Sequence, residues 1–238
     1  MILWGAQRAV VTRPKGGCGA PKARLWRPRT VLDAKYAAPT PRPYNPKPTP
    51  FRRFRGMTFD RVPAGKDVPN DCNVIIEIPM RADPIKYEID KETGAVFVDR
   101  FMSTAMHYPC NYGYIPRTLS GDGDPCDVLV LSPMPLIVGV VVRCRPIGML
   151  RMVDEAGSDS KILAVPVDNL TDLYRNVHAP EDMPELRTKQ IAHFFEHYKD
   201  LEPGKWVRVS SWVGADEAKR EILDGVARFA ATEREPST

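Results

Sequence analysis

The chain has 238 residues, 43% of them hydrophobic, enough for one domain of ordinary size with an appendage or for two small domains. No apolar run approaches the roughly 18 residues that span a bilayer, and five cysteines without a C-x-x-C pair argue against a zinc ribbon or a secreted disulfide framework. The net charge of +4 hides two different polypeptides: residues 1–56 hold 13 Lys or Arg and one acid, Asp33 (net +12), while the remaining 182 carry 21 basic and 29 acidic side chains (net −8).

Residues 1–56 also hold 9 of the 24 prolines. Proline removes backbone donors and clashes with a preceding helical turn, so an extended, solvated leader is predicted there. Three readings of it stand open: an organelle transit peptide, a basic arm for nucleic acid or anionic surfaces, or a functionless extension upstream of a start at Met57. The predicted division is therefore 1–56 as leader and 57–238 as folded domain. Cys18, Cys72, Cys110, Cys126 and Cys144 are expected to be buried, inert thiols in a reducing compartment.

Beyond Met57, short β-patterned runs dominate. Val74–Pro79 alternates and sets Glu77 among apolar neighbours. Lys86–Asp90 and Ala95–Asp99 flank Lys91-Glu-Thr-Gly94, a hairpin signal. Val128–Leu131, Gly139–Arg145, Lys161–Val165 and Lys205–Val209 read as further strands. Glu185–Tyr198 has near-helical apolar spacing (Leu186, Ile191, Phe194, Phe195, Tyr198), with Pro184 suited to its first turn, and Ala215–Ala231 reads as a last helix. Many short strands followed by two helices predict a mainly β, α+β fold: a small OB-like β-barrel flanked by two main helices.

The chemistry concentrates in two acidic loops. Gly121-Asp-Gly-Asp-Pro-Cys-Asp127 places Asp122, Asp124 and Asp127 within six residues, where glycines and Pro125 exclude regular structure. An EF-hand would need a glutamate where Pro133 stands, so a calcium loop of that kind is excluded. Asp154-Glu-Ala-Gly-Ser-Asp159 supplies a second group, with Lys161 beyond it. Two such loops bracketing a barrel strand suit hard, oxygen-bound divalent cations; two solvated surface turns are the plainer alternative. Lys86, Arg100 and Lys199 offer cations for an anion, and Tyr108, Tyr112 and Tyr198 offer hydroxyl donors. His193 and His197 stand four apart on one helix face, but H-E-x-x-H is absent, so packing or a subunit contact is preferred to zinc.

The series Glu77-Ile-Pro, Asp83-Pro-Ile-Lys-Tyr-Glu88, Asp99-Arg-Phe, Tyr108-Pro-Cys-Asn-Tyr-Gly-Tyr114, Asp122-Gly-Asp-Pro-Cys-Asp127, Asp154-Glu, Asp159-Ser-Lys161 and His197-Tyr-Lys199 resembles the family I soluble inorganic pyrophosphatases of bacterial type. The resemblance covers about residues 58–230 and implies a five-stranded barrel. It implies Mg²⁺, several ions per site, held by Asp122, Asp127, Asp154 and Asp159, with Asp124 as general base. It matches Lys86, Arg100, Tyr198 and Lys199 to phosphate binding, Tyr112 to a place beside the nucleophile, and Glu77, Glu88, Glu155 and Lys161 to supporting positions. A homohexamer of two trimers and a cytoplasmic location are expected with it; no membrane or nucleic-acid partner is. The competing readings are a metal-dependent phosphodiesterase or nuclease and a non-catalytic nucleic-acid-binding barrel. The second is disfavoured because the barrel portion is net −8.

Overall fold

The structure, a computed structural model, describes residues 59–233 apart from residue 92. The expectations placed on residues 1–56, Cys18 included, lie outside the described residues. In chain order the elements are β1 (Gly65–Asp67), β2 (Asp71–Ile78), β3 (Ile85–Ile89), β4 (Val96–Phe101), β5 (Asn111–Tyr114) and β6 (Asp127–Val130). Then come β7 (Val141–Asp154), β8 (Gly157–Ser158), β9 (Lys161–Pro166), α1 (Glu185–His197), β10 (Val207–Gly214) and α2 (Ala215–Thr232). Short 3₁₀ turns occupy Phe59–Arg61 and Pro180–Asp182.

Hydrogen-bonded neighbours run β2-β5-β6-β9-β7 and return to β2, closing a five-stranded barrel; β1, β8 and β10 pair outside that ring. All ring pairings are antiparallel except β6 with β9. The hairpin of β3 and β4 forms its own two-stranded sheet. Its turn ends on Gly94 at φ 72°, a left-handed conformation that glycine adopts without strain.

Strand alternation sorts the core into two faces. Val128, Val130, Ile162 and Ala164 pack with Ala218 and Ile222 of α2. The intervening Leu129, Leu131, Leu163 and Val165 pack with Ile191, Phe194 and Phe195 of α1. In β2 the register against β5 shifts between Ile76 and Ile78. Ile76 accordingly joins the α2 face and Ile78, two residues on, the α1 face, with Glu77 at the bulge between them.

The sequence reading ended the strand at Arg145, too early. β7 runs on through Pro146 and Gly148 to Asp154, its register against β9 shifting between those two residues. β10 likewise begins at Val207 and passes a shift between Val209 and Ser211. Pro184 caps α1 rather than lying inside its first turn, and Leu186, read as an apolar-face residue, is 68% exposed. Four cysteines (Cys72, Cys110, Cys126, Cys144) are buried free thiols, as expected.

Helix α2 braces the first acidic loop. The Leu119 N–H donates to Gly225 O at 2.9 Å, and Arg228 Nη1 donates to Leu119 O at 2.6 Å. A Cβ on Gly225 would lie 2.6 Å from Cys126 Sγ, so the bare backbone lets the helix approach the loop this closely.

Candidate active site

Strand ends place the charged side chains. Asp127 opens β6 and Lys161 opens β9, and these strands run parallel from the same end. Asp154 closes β7, which is antiparallel to β9 with Leu150 opposite Lys161. The loop before β6 carries Asp122 and Asp124; the turn around β8 carries Asp159. Against this mouth stand the β3–β4 hairpin, with Lys86, Glu88 and Arg100, and the end of α1, with Tyr198 and Lys199. Together they enclose a cleft of about 340 Å³.

Two lysines organise the carboxylates. Lys161 donates to Asp127 Oδ2 at 2.5 Å and also to Asp159, and its Nζ is 3.5 Å from the Tyr112 hydroxyl. Burial alone would push this ammonium's pKa down, but the two carboxylates win and hold it well above the usual lysine range. Lys199 donates to Asp154 Oδ2 at 2.7 Å and lies 3.4 Å from Glu155 Oε1. Burial pushes the Asp154 carboxyl up, yet Lys199 and the N–H groups of Ala156 and Gly157 hold it below its ordinary value.

Glu77 is the exception among the acids. Only 8% exposed, it accepts a hydrogen bond from the Ile89 N–H at 3.0 Å. Burial nevertheless dominates and pushes its pKa up to about 7. Asp124 is exposed instead, with 78% of its side chain accessible and Lys91 Nζ 3.9 Å away. The adjoining turn is tightened by its own N–H, which donates to Asp122 Oδ1 at 3.0 Å.

Of the residues expected at the site, Glu77, Lys86, Glu88, Arg100, Tyr112, Asp122, Asp124, Asp127, Asp154, Asp159, Lys161, Tyr198 and Lys199 line the cleft. Tyr108 and Glu155 do not. Tyr108 is 3% exposed and packs behind the lining, 5.6 Å from the Tyr112 ring and 4.8 Å from that of Phe194. Glu155 lies behind Lys199 and accepts from the Trp206 N–H at 3.4 Å. The sequence reading missed Lys91, Tyr87 and Tyr114 in the lining. It passed over Lys91 as a turn residue; its position beside a hairpin glycine gave no sign of where the turn would point. The rings of His193 and His197 lie 4.5 Å apart, tilted at 55°, and His197 Nδ1 is 2.8 Å from Asp200.

The sequence and the fold both resemble those of known proteins. Residues 74–230 match the sequence model of the family described as inorganic pyrophosphatase. The chain belongs to the inorganic pyrophosphatase family. A relative of that name from Yersinia pestis is 64% identical over 172 residues, covering 72% of this chain and 98% of the relative. One from Escherichia coli K12 is 63% identical over the same span. Among solved structures, an inorganic pyrophosphatase from Coxiella burnetii superposes with a TM-score of 0.69 at 52% identity, over 71% of this chain and 99% of that one. The enzyme from Thermus thermophilus gives 0.68 at 40% identity, over 73% and 99%. The matched span contains every charged residue of the cleft.

The donor set fits hard divalent cations. The cleft is lined by carboxylates on tight loops and by no histidine or cysteine. Among the described residues no three such groups are already gathered as a metal cage, consistent with lysines holding Asp127, Asp159 and Asp154.

Proposed function

We propose that this chain hydrolyses inorganic pyrophosphate to two orthophosphates with Mg²⁺, in the cleft at the barrel mouth. The observation that carries this reading is the charge arrangement: Asp122, Asp124, Asp127, Asp154 and Asp159 share one cleft with Lys86, Arg100 and Lys199. Family membership fixes the reaction class, and pyrophosphatase is the name of every relative reported above.

Asp122, Asp127, Asp154 and Asp159 would hold the metal ions. When bound, Mg²⁺ supplies charge neutralisation for the phosphates and acidifies water. Asp124, exposed to the cleft, orients the attacking water and takes its proton as the water oxygen bonds to phosphorus and the bridging P–O bond breaks. Lys86, Arg100 and Lys199 neutralise charge on the departing phosphate, and Tyr198 and Tyr112 offer donors beside it. Their hydroxyls stay protonated because burial pushes both tyrosines above their usual range. Lys161 bridges Asp127 and Asp159; Glu77 and Glu88 support the same cleft.

We assign the chain to the cytoplasm and to a homo-oligomer, a hexamer by family likeness, with residues 57–238 as its catalytic domain. Exposed Phe101 and Ile137, 75% and 81% accessible, support a covered surface, and no described helix is long and apolar enough to cross a membrane. The test is phosphate release from pyrophosphate by purified protein with Mg²⁺ and with excess chelator. Fast, chelator-sensitive release is expected, whereas cleavage of phosphodiesters in its place would move the assignment to a phosphodiesterase.

A further inference from the structure

Lys86 and Arg100 stand directly opposite one another across β3 and β4. Like charges in that cross-strand position repel. Asp99 relieves the repulsion, its Oδ2 lying 3.0 Å from Lys86 Nζ and 3.6 Å from Arg100 Nη1. The other edge of Arg100 meets a residue from a different part of the fold. Its Nε is 3.6 Å from Glu202 Oε1, and both atoms are buried without a hydrogen-bond partner. The second oxygen of Glu202 pairs with Lys205 at 3.1 Å. Glu202 is carried by the turn after α1, and its backbone N–H donates to Lys199 O at 2.9 Å. One carboxylate thus joins the hairpin that bears Arg100 to the turn that bears Lys199.

We propose that Glu202 is a positioning residue for substrate binding, holding the Nε edge of Arg100 and so fixing the spacing between the Arg100 and Lys199 grips on the phosphate-rich substrate. The inference rests on the reading of this cleft as the pyrophosphate site. A buried N–H and a buried carboxylate oxygen at 3.6 Å are each unsatisfied, which is costly. Closing the gap by about 0.7 Å would convert them to a charge-assisted hydrogen bond. Because the guanidinium is a rigid fork, a carboxylate held against its Nε edge fixes where its remaining N–H groups meet an anion. Glu202 touches no substrate in this scheme; it acts through Arg100.

The test is steady-state hydrolysis of pyrophosphate by the full chain with saturating Mg²⁺. Glu202→Gln and Glu202→Asp should each raise KM about tenfold, the scale of a coupled charged pair, with kcat changed less than about threefold and the melting midpoint retained. Aspartate keeps the charge but is one methylene too short, so it separates position from charge. In an Arg100→Ala background neither substitution should raise KM further. An unaltered KM in the Glu202→Asp variant, or an equal rise in the Arg100→Ala background, overturns the proposal. An unmodified chain that releases no phosphate overturns the reading of the cleft and this inference with it. Normal turnover with indifferent Glu202 variants overturns this inference alone.

Discussion

Lys161 holds its ammonium 2.5 Å from Asp127 Oδ2 with only 5% of its side chain exposed, and the same nitrogen serves Asp159. The lysine is thus the internal counter-charge of a wall proposed to take up divalent cations. Removing one partner of a buried pair leaves the other uncompensated. Lys161→Met should therefore lose about 3 kcal/mol in chelator, measured by urea denaturation. Added Mg²⁺ should recover more stability in the variant than in the parent, because it replaces the missing charge.

Glu77 sets a pH dependence of stability. Its carboxyl titrates near 7 in the folded chain, raised by burial from an ordinary value of 4.5. A raised acid binds more protons folded than unfolded between those values. Its contribution is therefore fully present below about 4.5 and is lost as pH rises through 7. Glu77→Gln removes that loss while keeping an oxygen for the Ile89 N–H. Denaturation in chelator should show the variant gaining on the parent between pH 5 and pH 8, by up to about 3 kcal/mol. A constant difference across that range would contradict the assignment.

Gly225 gives a test remote from the chemistry. Alanine there would set its Cβ 2.6 Å from Cys126 Sγ and 3.2 Å from Leu119 O, next to the strand that opens with Asp127. Overpacking of this kind costs about 1–3 kcal/mol. Gly225→Ala should lower the melting midpoint and weaken the stabilisation by Mg²⁺, read by thermal denaturation across a Mg²⁺ series.

The described cysteines should be silent in the native state. Burial pushes Cys72 and Cys110 up to about 12 and Cys126 up to about 11, and Cys144 higher still. Little thiolate exists near neutral pH. An aromatic disulfide reagent should label these four only after denaturation, as mass spectrometry of the labelled peptides would show.

Much of this site was legible in the chain because its chemistry is local. The two acidic loops declare themselves by spacing, and glycine and proline fix them as loops. The hairpin around Gly94 and both helices follow from turn chemistry and periodicity. What stayed hidden depends on tertiary context. β5, Asn-Tyr-Gly-Tyr, shows no alternation, yet all four residues are buried. Asn111 can lie there because its Oδ1 accepts from the N–H groups of Met80 and Leu136, at 2.9 and 2.8 Å. The continuation of β7 past Pro146 needs a register shift that composition does not announce. Lys91 and Glu202 carry no signal in the sequence, and only the fold brings them to Asp124 and Arg100.

Asp124 tests the central claim most directly. Its exposed side chain has Lys91 at 3.9 Å, so Asp124→Asn should leave the fold intact. The decisive measurement is phosphate release from pyrophosphate with Mg²⁺, for parent and variant side by side, with circular dichroism melts of both. The expected result is rapid release by the parent and a fall of about 10²–10⁴-fold in the variant at an unchanged melting midpoint. Parent-like release by a folded Asp124→Asn variant, or none by the folded parent, would contradict the assignment of this cleft as the place of hydrolysis.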